Sequence, residues 1–140
     1  MSAGVDAVCA FFSLHYYYKN PAIYQMLQTL KTNAVFIAII INKDSLMHIL
    51  DKTTLTHKSK NYEYQFKNNK LAIRLPFSDK LMTEDLADIP ELINNMKRVG
   101  YKLSINQQCT DPHLTENQKR LSDEDIIHIS LYSLLVFTKH

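Results

Sequence analysis

The segment Tyr62-Glu63-Tyr64-Gln65-Phe66-Lys67-Asn68-Asn69-Lys70-Leu71-Ala72-Ile73-Arg74-Leu75-Pro76-Phe77 carries the clearest structural signal in the 140-residue chain. Tyr62, Tyr64 and Phe66 alternate with polar residues, and Leu71, Ile73, Leu75 and Phe77 alternate with smaller or polar ones. Two runs of period two around an Asn-Asn turn predict a β-hairpin, because Asn tolerates the positive φ that tight hairpin turns require. Folding about Asn68-Asn69 sets Phe66 opposite Leu71, Tyr64 opposite Ile73 and Tyr62 opposite Leu75. The same register sets Glu63 against Arg74 on the other face, an attractive cross-strand pair.

Upstream of the hairpin, Ala34 to Ile41 is apolar at every position and rich in β-branched residues, which predicts a strand covered on both faces. Asn42-Lys43-Asp44-Ser45 offers caps for a helix to about Thr54, with Leu46, Ile49 and Leu50 on one side. Downstream, Asp88, Pro90 and Gly100 bound a second helix over 88–99 whose inner face is Ile89, Leu92, Ile93 and Met96. Tyr101 to Ile105 alternates as a short strand. Strand, helix, strand, strand, helix, strand over 33–106 predicts an α+β protein with a ferredoxin-like βαββαβ core and an antiparallel sheet.

The flanks read as cover for that core. Val5, Val8, Cys9, Phe12 and Tyr16 make a helical stripe, and Asn20-Pro21 opens a second helix to Leu30, so 1–32 is expected to hold N-terminal helices. Residues 107–121 read as a polar loop broken at Asp111-Pro112. Residues 122–140 read as a C-terminal helix, capped at Ser122 and acidic at Asp123, Glu124 and Asp125. The alternation of Ile127, Ile129, Leu131, Leu135 and Phe137 leaves an edge strand as the alternative there. No repeat or boundary is visible, and 1–140 is expected to be a single domain.

Composition narrows the function classes. A hydrophobic content of 46% with 21% charged residues excludes wholesale disorder. Two glycines argue against Gly-rich phosphate loops, and a net charge of +2 gives a polyanionic partner little support. Cys9 and Cys109 are too sparse for a disulfide framework and read as reduced thiols. There is no basic leader, and the eight-residue run Ala34–Ile41 is far short of the ~20 residues of a membrane span, so no membrane role is expected. The expected location is the cytoplasm, or a host cytosol if the Lys-, Asn- and Ile-rich composition reflects an AT-rich viral or intracellular bacterial genome.

No catalytic, cofactor or metal constellation stands out. The six histidines share no ligand spacing. Cys9 and His15 lie on different faces of the expected helix, and Asp85, Asp88 and Glu91 are explained by helix capping. The sequence therefore reads as a non-catalytic protein-binding module: an adaptor, inhibitor or complex subunit. Its expected contact residues are Tyr17, Tyr18, Tyr132 and Leu134, with a protein partner or a second copy as a homodimer. The alternative is an RNA- or DNA-binding module that uses Lys58, Lys60, Lys67 and Lys70 beside the hairpin tyrosines.

Overall fold

Asn68 and Asn69 both adopt positive φ, 53° and 61°, in the computed structural model, which describes residues 7–11, 18–109 and 121–140. In chain order the elements are β1 (Ala7–Phe11), α1 (Pro21–Gln28), β2 (Val35–Ile41), α2 (Lys43–Ile49), β3 (Thr56–Lys58) and β4 (Glu63–Lys67). They continue as β5 (Lys70–Arg74), β6 (Met82–Asp85), α3 (Ile89–Arg98), β7 (Tyr101–Gln108), α4 (Asp123–Ser130) and β8 (Tyr132–Lys139). The hairpin β4–β5 has the register expected from its alternation: Phe66 faces Leu71, Tyr64 faces Ile73 and Glu63 faces Arg74. Reversing the charge in Glu63→Lys is expected to destabilise by roughly 0.2–1 kcal/mol, and adding Arg74→Glu to recover part of it. Urea denaturation of the two single variants and the double variant checks this, and additive effects would count against the pair.

The chain divides into two compact units. Of the described residues, the first takes 7–11, 18–40, 87–107 and 133–140, and the second takes 41–86, 108–109 and 121–132. In the first unit the strand order is β1-β2-β8-β7. β1 runs parallel to β2, with Val8 beside Phe36 and Ala10 beside Ala38. β8 lies antiparallel to β2, since Asn33 N donates to Lys139 O at 2.9 Å while the chain runs on in opposite senses from there. α1 and α3 both pack on one face of this sheet. Leu27, Leu92 and Met96 from the helices, and Leu30 just beyond α1, join Phe36, Ala38, Ile40, Leu135 and Phe137 from the strands. Each fully buried Leu or Phe contributes about 1.5–3 kcal/mol, and the tilted Phe36 and Phe137 rings, 6.2 Å apart, sit at the centre. The Tyr101 hydroxyl closes the helix layer by donating to Leu27 O at 2.8 Å.

In the second unit the antiparallel order is β3-β4-β5-β6. Its core gathers Tyr62, Tyr64, Leu71 and Ile73 from the sheet with Leu46 and Leu50 from the α2 region and Leu131 after α4. Asn42 caps α2 through its side-chain oxygen, accepting from Asp44 N at 2.9 Å. Its own N–H donates to Leu131 O at 2.7 Å.

This architecture replaces the ferredoxin-like core. The hairpin does not join β2 and β7 in one antiparallel sheet; it makes its own sheet with β3 and β6. Those two strands, Thr-His-Lys and Met-Thr-Glu-Asp, are short and polar as edge strands tend to be, and in sequence they look like loops. The expected helix from Val5 is a strand over Ala7–Phe11: Val8 and Ala10 pack inward while Ala7, Cys9 and Phe11 are exposed. A short, nearly continuous apolar run satisfies a helical stripe and a strand equally, and here pairing with β2 decides it. Residues 12–17 and 110–120 lie outside the described residues. The C-terminal helix is likewise only half a helix. α4 ends at Ser130, and β8 then alternates, with Ser133, Leu135 and Phe137 buried between less buried neighbours. It is an interior strand of its sheet, flanked by β2 and β7, and not an edge.

Candidate functional site

The densest convergence of chemically active side chains is in the second unit, where α4 meets β4. Period two along β4 and the residues before it puts Tyr62 and Tyr64 on one face. Helical spacing puts Glu124, Asp125 and His128 on one side of α4. The two sets meet. Asn61 donates to Glu124 through its backbone N at 3.1 Å and again through its side-chain amide. The Tyr62 hydroxyl donates to Asp125 Oδ1 at 2.6 Å, and the Tyr64 hydroxyl bonds His128 Nδ1 at 2.7 Å. The imidazole stacks on the Tyr62 ring at 4.7 Å, and Tyr132 meets it edge-on at 5.5 Å.

Electrostatics follow from this packing. Burial first, then the Asp125 carboxylate, pushes the Tyr62 phenol up to about 12. Burial pushes Tyr132 up to about 12 and Tyr64 higher still. All three phenols are therefore neutral at physiological pH and none is a base. Burial lowers the His128 imidazole below 6.5, against the opposing pull of Asp125. Hydrogen bonds from Asn61 hold Glu124 below the usual carboxylate range, and Tyr62 and Ser122 do the same for Asp125.

The sign of the pH effect is fixed by these directions. His128 stays neutral in the fold while the unfolded chain takes up a proton near 6.5. Its contribution is complete above that pH and is lost as pH falls toward the depressed folded value. The two carboxylates add a second loss below about pH 4.5, where the unfolded chain protonates first. The urea midpoint is therefore expected to be flat between pH 7 and about 9 and to fall below 6.5. It should fall again at higher pH, where the tyrosines of the unfolded chain ionise first. His128→Gln should flatten the window just below 6.5 alone, and an unchanged profile in that variant would remove His128 from the account.

Local sequence does not mark Asp125 and His128 as a site. The helix start accounts for Asp125, since Ser122 caps α4 by accepting the Asp125 N–H at 3.2 Å and donates its own hydroxyl to Asp125 Oδ2 at 2.7 Å. No local pattern links residues 61–64 to 124–128. The cluster fastens α4 to the small sheet, and among the described residues no three His, Cys, Asp or Glu side chains converge as metal ligands.

Two grooves lie elsewhere. One in the first unit, of about 360 Å³, is lined by Lys19, Tyr24, Gln25, Gln28, Asn95 and Arg98. One in the second, of about 300 Å³, is lined by Asp44, Ser45, His48, Ile49, Gln108 and Ser130. The first presents two cations and no carboxylate, chemistry that favours an anion.

Two of the residues expected to make a contact surface, Tyr132 and Leu134, lie two apart on one face of β8. Tyr17 lies outside the described residues. Tyr18 is 4% exposed and belongs to the core of the first unit. Leu134 is half-buried on the opposite face of that unit's sheet, and Tyr132 packs on His128 in the second unit. The four lysines are all exposed but divided: Lys58 and Lys60 lie before β4, and Lys67 and Lys70 face each other at the hairpin tip. Lys58 sits 3.8 Å from Glu63 and Lys70 3.8 Å from Asp85, which weakens any shared positive field. Among the described residues, no helix is long and apolar enough to cross a membrane.

No protein-family model matches the chain, and no curated protein matches it. Solved structures do. An S-adenosylmethionine-dependent methyltransferase from Clostridium acetobutylicum ATCC 824 superposes with a TM-score of 0.53 at 11% identity, over 99% of this chain and 60% of that one. One from Mesorhizobium loti gives 0.57 at 9% identity, over 97% and 62%. The CcbJ methyltransferase of Streptomyces caelestis gives 0.53 at 13%, over 98% and 61%. The chain thus spans about three-fifths of the length of the solved structures it resembles.

The likeness gives the fold: a Rossmann-like α/β arrangement with a mixed sheet, in which β1-α1-β2 is the parallel unit. It overturns the reading of a non-catalytic, protein-binding module on a ferredoxin-like core. The apolar surplus behind that reading is largely used within the units, where Tyr18, Leu131, Leu135 and Phe137 are all buried.

The solved structures that this chain resembles are described as S-adenosylmethionine-dependent, and the residues here do not fit that cofactor. A Rossmann-type cradle needs glycines at the turn after the first strand, for close backbone approach, and a carboxylate beyond it for the ribose hydroxyls. The sequence has two glycines, Gly4 and Gly100. Gly100 follows α3 at φ +92°, where a Cβ would meet His140 O at 3.8 Å, an ordinary contact that leaves no cradle to fill. Between Asp6 and Asp44 there is no acidic residue, so β1-α1-β2 carries neither part of the cradle.

Proposed function

We propose that this chain works in S-adenosylmethionine-dependent methyl transfer, as the part of the catalytic assembly that does not hold the cofactor. The observation that supports this is the likeness of 97–99% of the chain to methyltransferases of known structure. Its β1-α1-β2 unit and the second, antiparallel sheet would supply framework and substrate-side surface, while the cofactor cradle lies elsewhere in the assembly.

The test is photolabelling with tritiated S-adenosylmethionine of the tagged chain purified with whatever it binds in its source, followed by an assay of methyl transfer by that preparation. Label in the preparation together with methyl transfer is the expected result. A preparation that neither takes label nor transfers methyl groups would defeat the proposal.

A further inference from the structure

Among the described residues, helices cover one face of the first unit's sheet and none covers the other. α1 and α3 both cover the face that carries Phe36, Ala38 and Phe137. The opposite face presents Cys9 and Phe11 from β1, Ile37 and Ile39 from β2, and Leu134 and Val136 from β8. Phe11 is 49% exposed, Cys9 is exposed and the other four are half-buried. Across the same face toward β7 the surface turns polar, with Lys102 exposed and Ser104 bonded to Thr138 at 3.0 Å. The apolar half therefore lies at the β1 edge.

That edge differs from the others. Edge strands of stable proteins are blunted by charge or proline so that they do not pair. β7 carries Lys102, β3 carries Lys58, and β6 carries Glu84 and Asp85. β1, Ala-Val-Cys-Ala-Phe, carries neither charge nor proline. It is also one of the two parallel strands, and parallel strands are stable where both faces are covered. About two-fifths of each solved structure of this fold lies beyond the match, and the cofactor-holding glycines and carboxylate are missing from this sequence.

We propose that a cofactor-binding half of Rossmann type adds a parallel strand along β1, lays its helices over Ile37, Ile39 and Phe11, and brings the Gly-rich turn that holds the cofactor. The cofactor clause rests on the function proposed above; the docking surface rests on β1 and the open face alone.

The test is alkylation of Cys9 by N-ethylmaleimide in a Cys109→Ser background, read by peptide mass spectrometry. It compares the isolated chain with the tagged chain in the assembly purified from its source. Cys9 is expected to react at least ~10-fold more slowly in the assembly, as for a group shielded by docking. Phe11→Glu should restore fast reaction and release the partner, whereas Ser104→Glu, on the polar side of the same face, should do neither. Circular dichroism of the isolated variants checks that each still folds.

Equal reactivity in the assembly and the isolated chain overturns the docking surface. Photolabelling of the isolated chain by tritiated S-adenosylmethionine overturns the borrowed cradle and leaves the methyltransferase reading standing. Protection of Cys9 in an assembly that takes no label anywhere removes the methyltransferase reading and the cofactor clause with it, and leaves the surface.

Discussion

Tyr64→Ala is expected to destabilise the protein by about 3–5 kcal/mol, the cost of deleting a buried aromatic ring and leaving its cavity. Tyr64 is 1% exposed and lies among Tyr62, Leu71, Ile73 and Leu131. The sharper variant is Tyr64→Phe, which keeps the ring and removes the hydroxyl that bonds His128 Nδ1. It should cost about 1–3 kcal/mol, because a partly buried imidazole nitrogen then loses its partner. Replacing both residues in Tyr64→Phe/His128→Phe removes the stranded group, so the double variant should lose less than the two singles summed. Urea denaturation at pH 7.5 reads all three. A Tyr64→Phe variant as stable as the parent would mean that α4 is held by the ring stack alone.

Why this cluster is hidden in the sequence, while the hairpin beneath it is not, is a matter of range. The hairpin is specified by neighbours: the Asn68-Asn69 turn, two alternating runs, and the Glu63–Arg74 pair that fixes one register. Helix starts are legible for the same reason. Asn20, Asn42, Asp88 and Ser122 each accept a backbone N–H two or three residues on, a bond that depends on local spacing alone. Which strands share a sheet depends on pairings far apart in the chain. β2 finds β8 across more than ninety residues, and nothing in Val35–Ile41 says so. The ferredoxin-like order draws on elements that do exist, but the hairpin's true neighbours, β3 and β6, carry Lys58, Glu84 and Asp85 and have the composition of loops. The scarcity of glycine is legible in the composition, with two in the sequence. Its meaning needs the fold.

The last strand gives the second large effect and separates the two ways of reading 131–138. If β8 is a strand between β2 and β7, alanine substitutions should alternate in cost. Leu135→Ala should cost about 2–5 kcal/mol and Phe137→Ala about 3–5, since both side chains are fully buried against the α1–α3 layer. Leu134→Ala and Val136→Ala, on the half-buried face, should each cost clearly less than Leu135→Ala in the isolated chain, because part of their surface is already in water. A helix over the same residues would group the costs three or four apart, pairing Leu131 with Leu134 and Leu135, and would make Leu134 expensive. The scan is read by thermal or urea unfolding of the isolated chain. Leu134 carries a second consequence. If the open face docks a partner, Leu134→Ala should weaken the assembly more than it weakens the chain, so its small cost alone and larger cost in complex would tie the strand's period to the surface it builds. Costs at Leu134 and Leu135 that are equal in the isolated chain would remove β8 as a strand, and with it the open face.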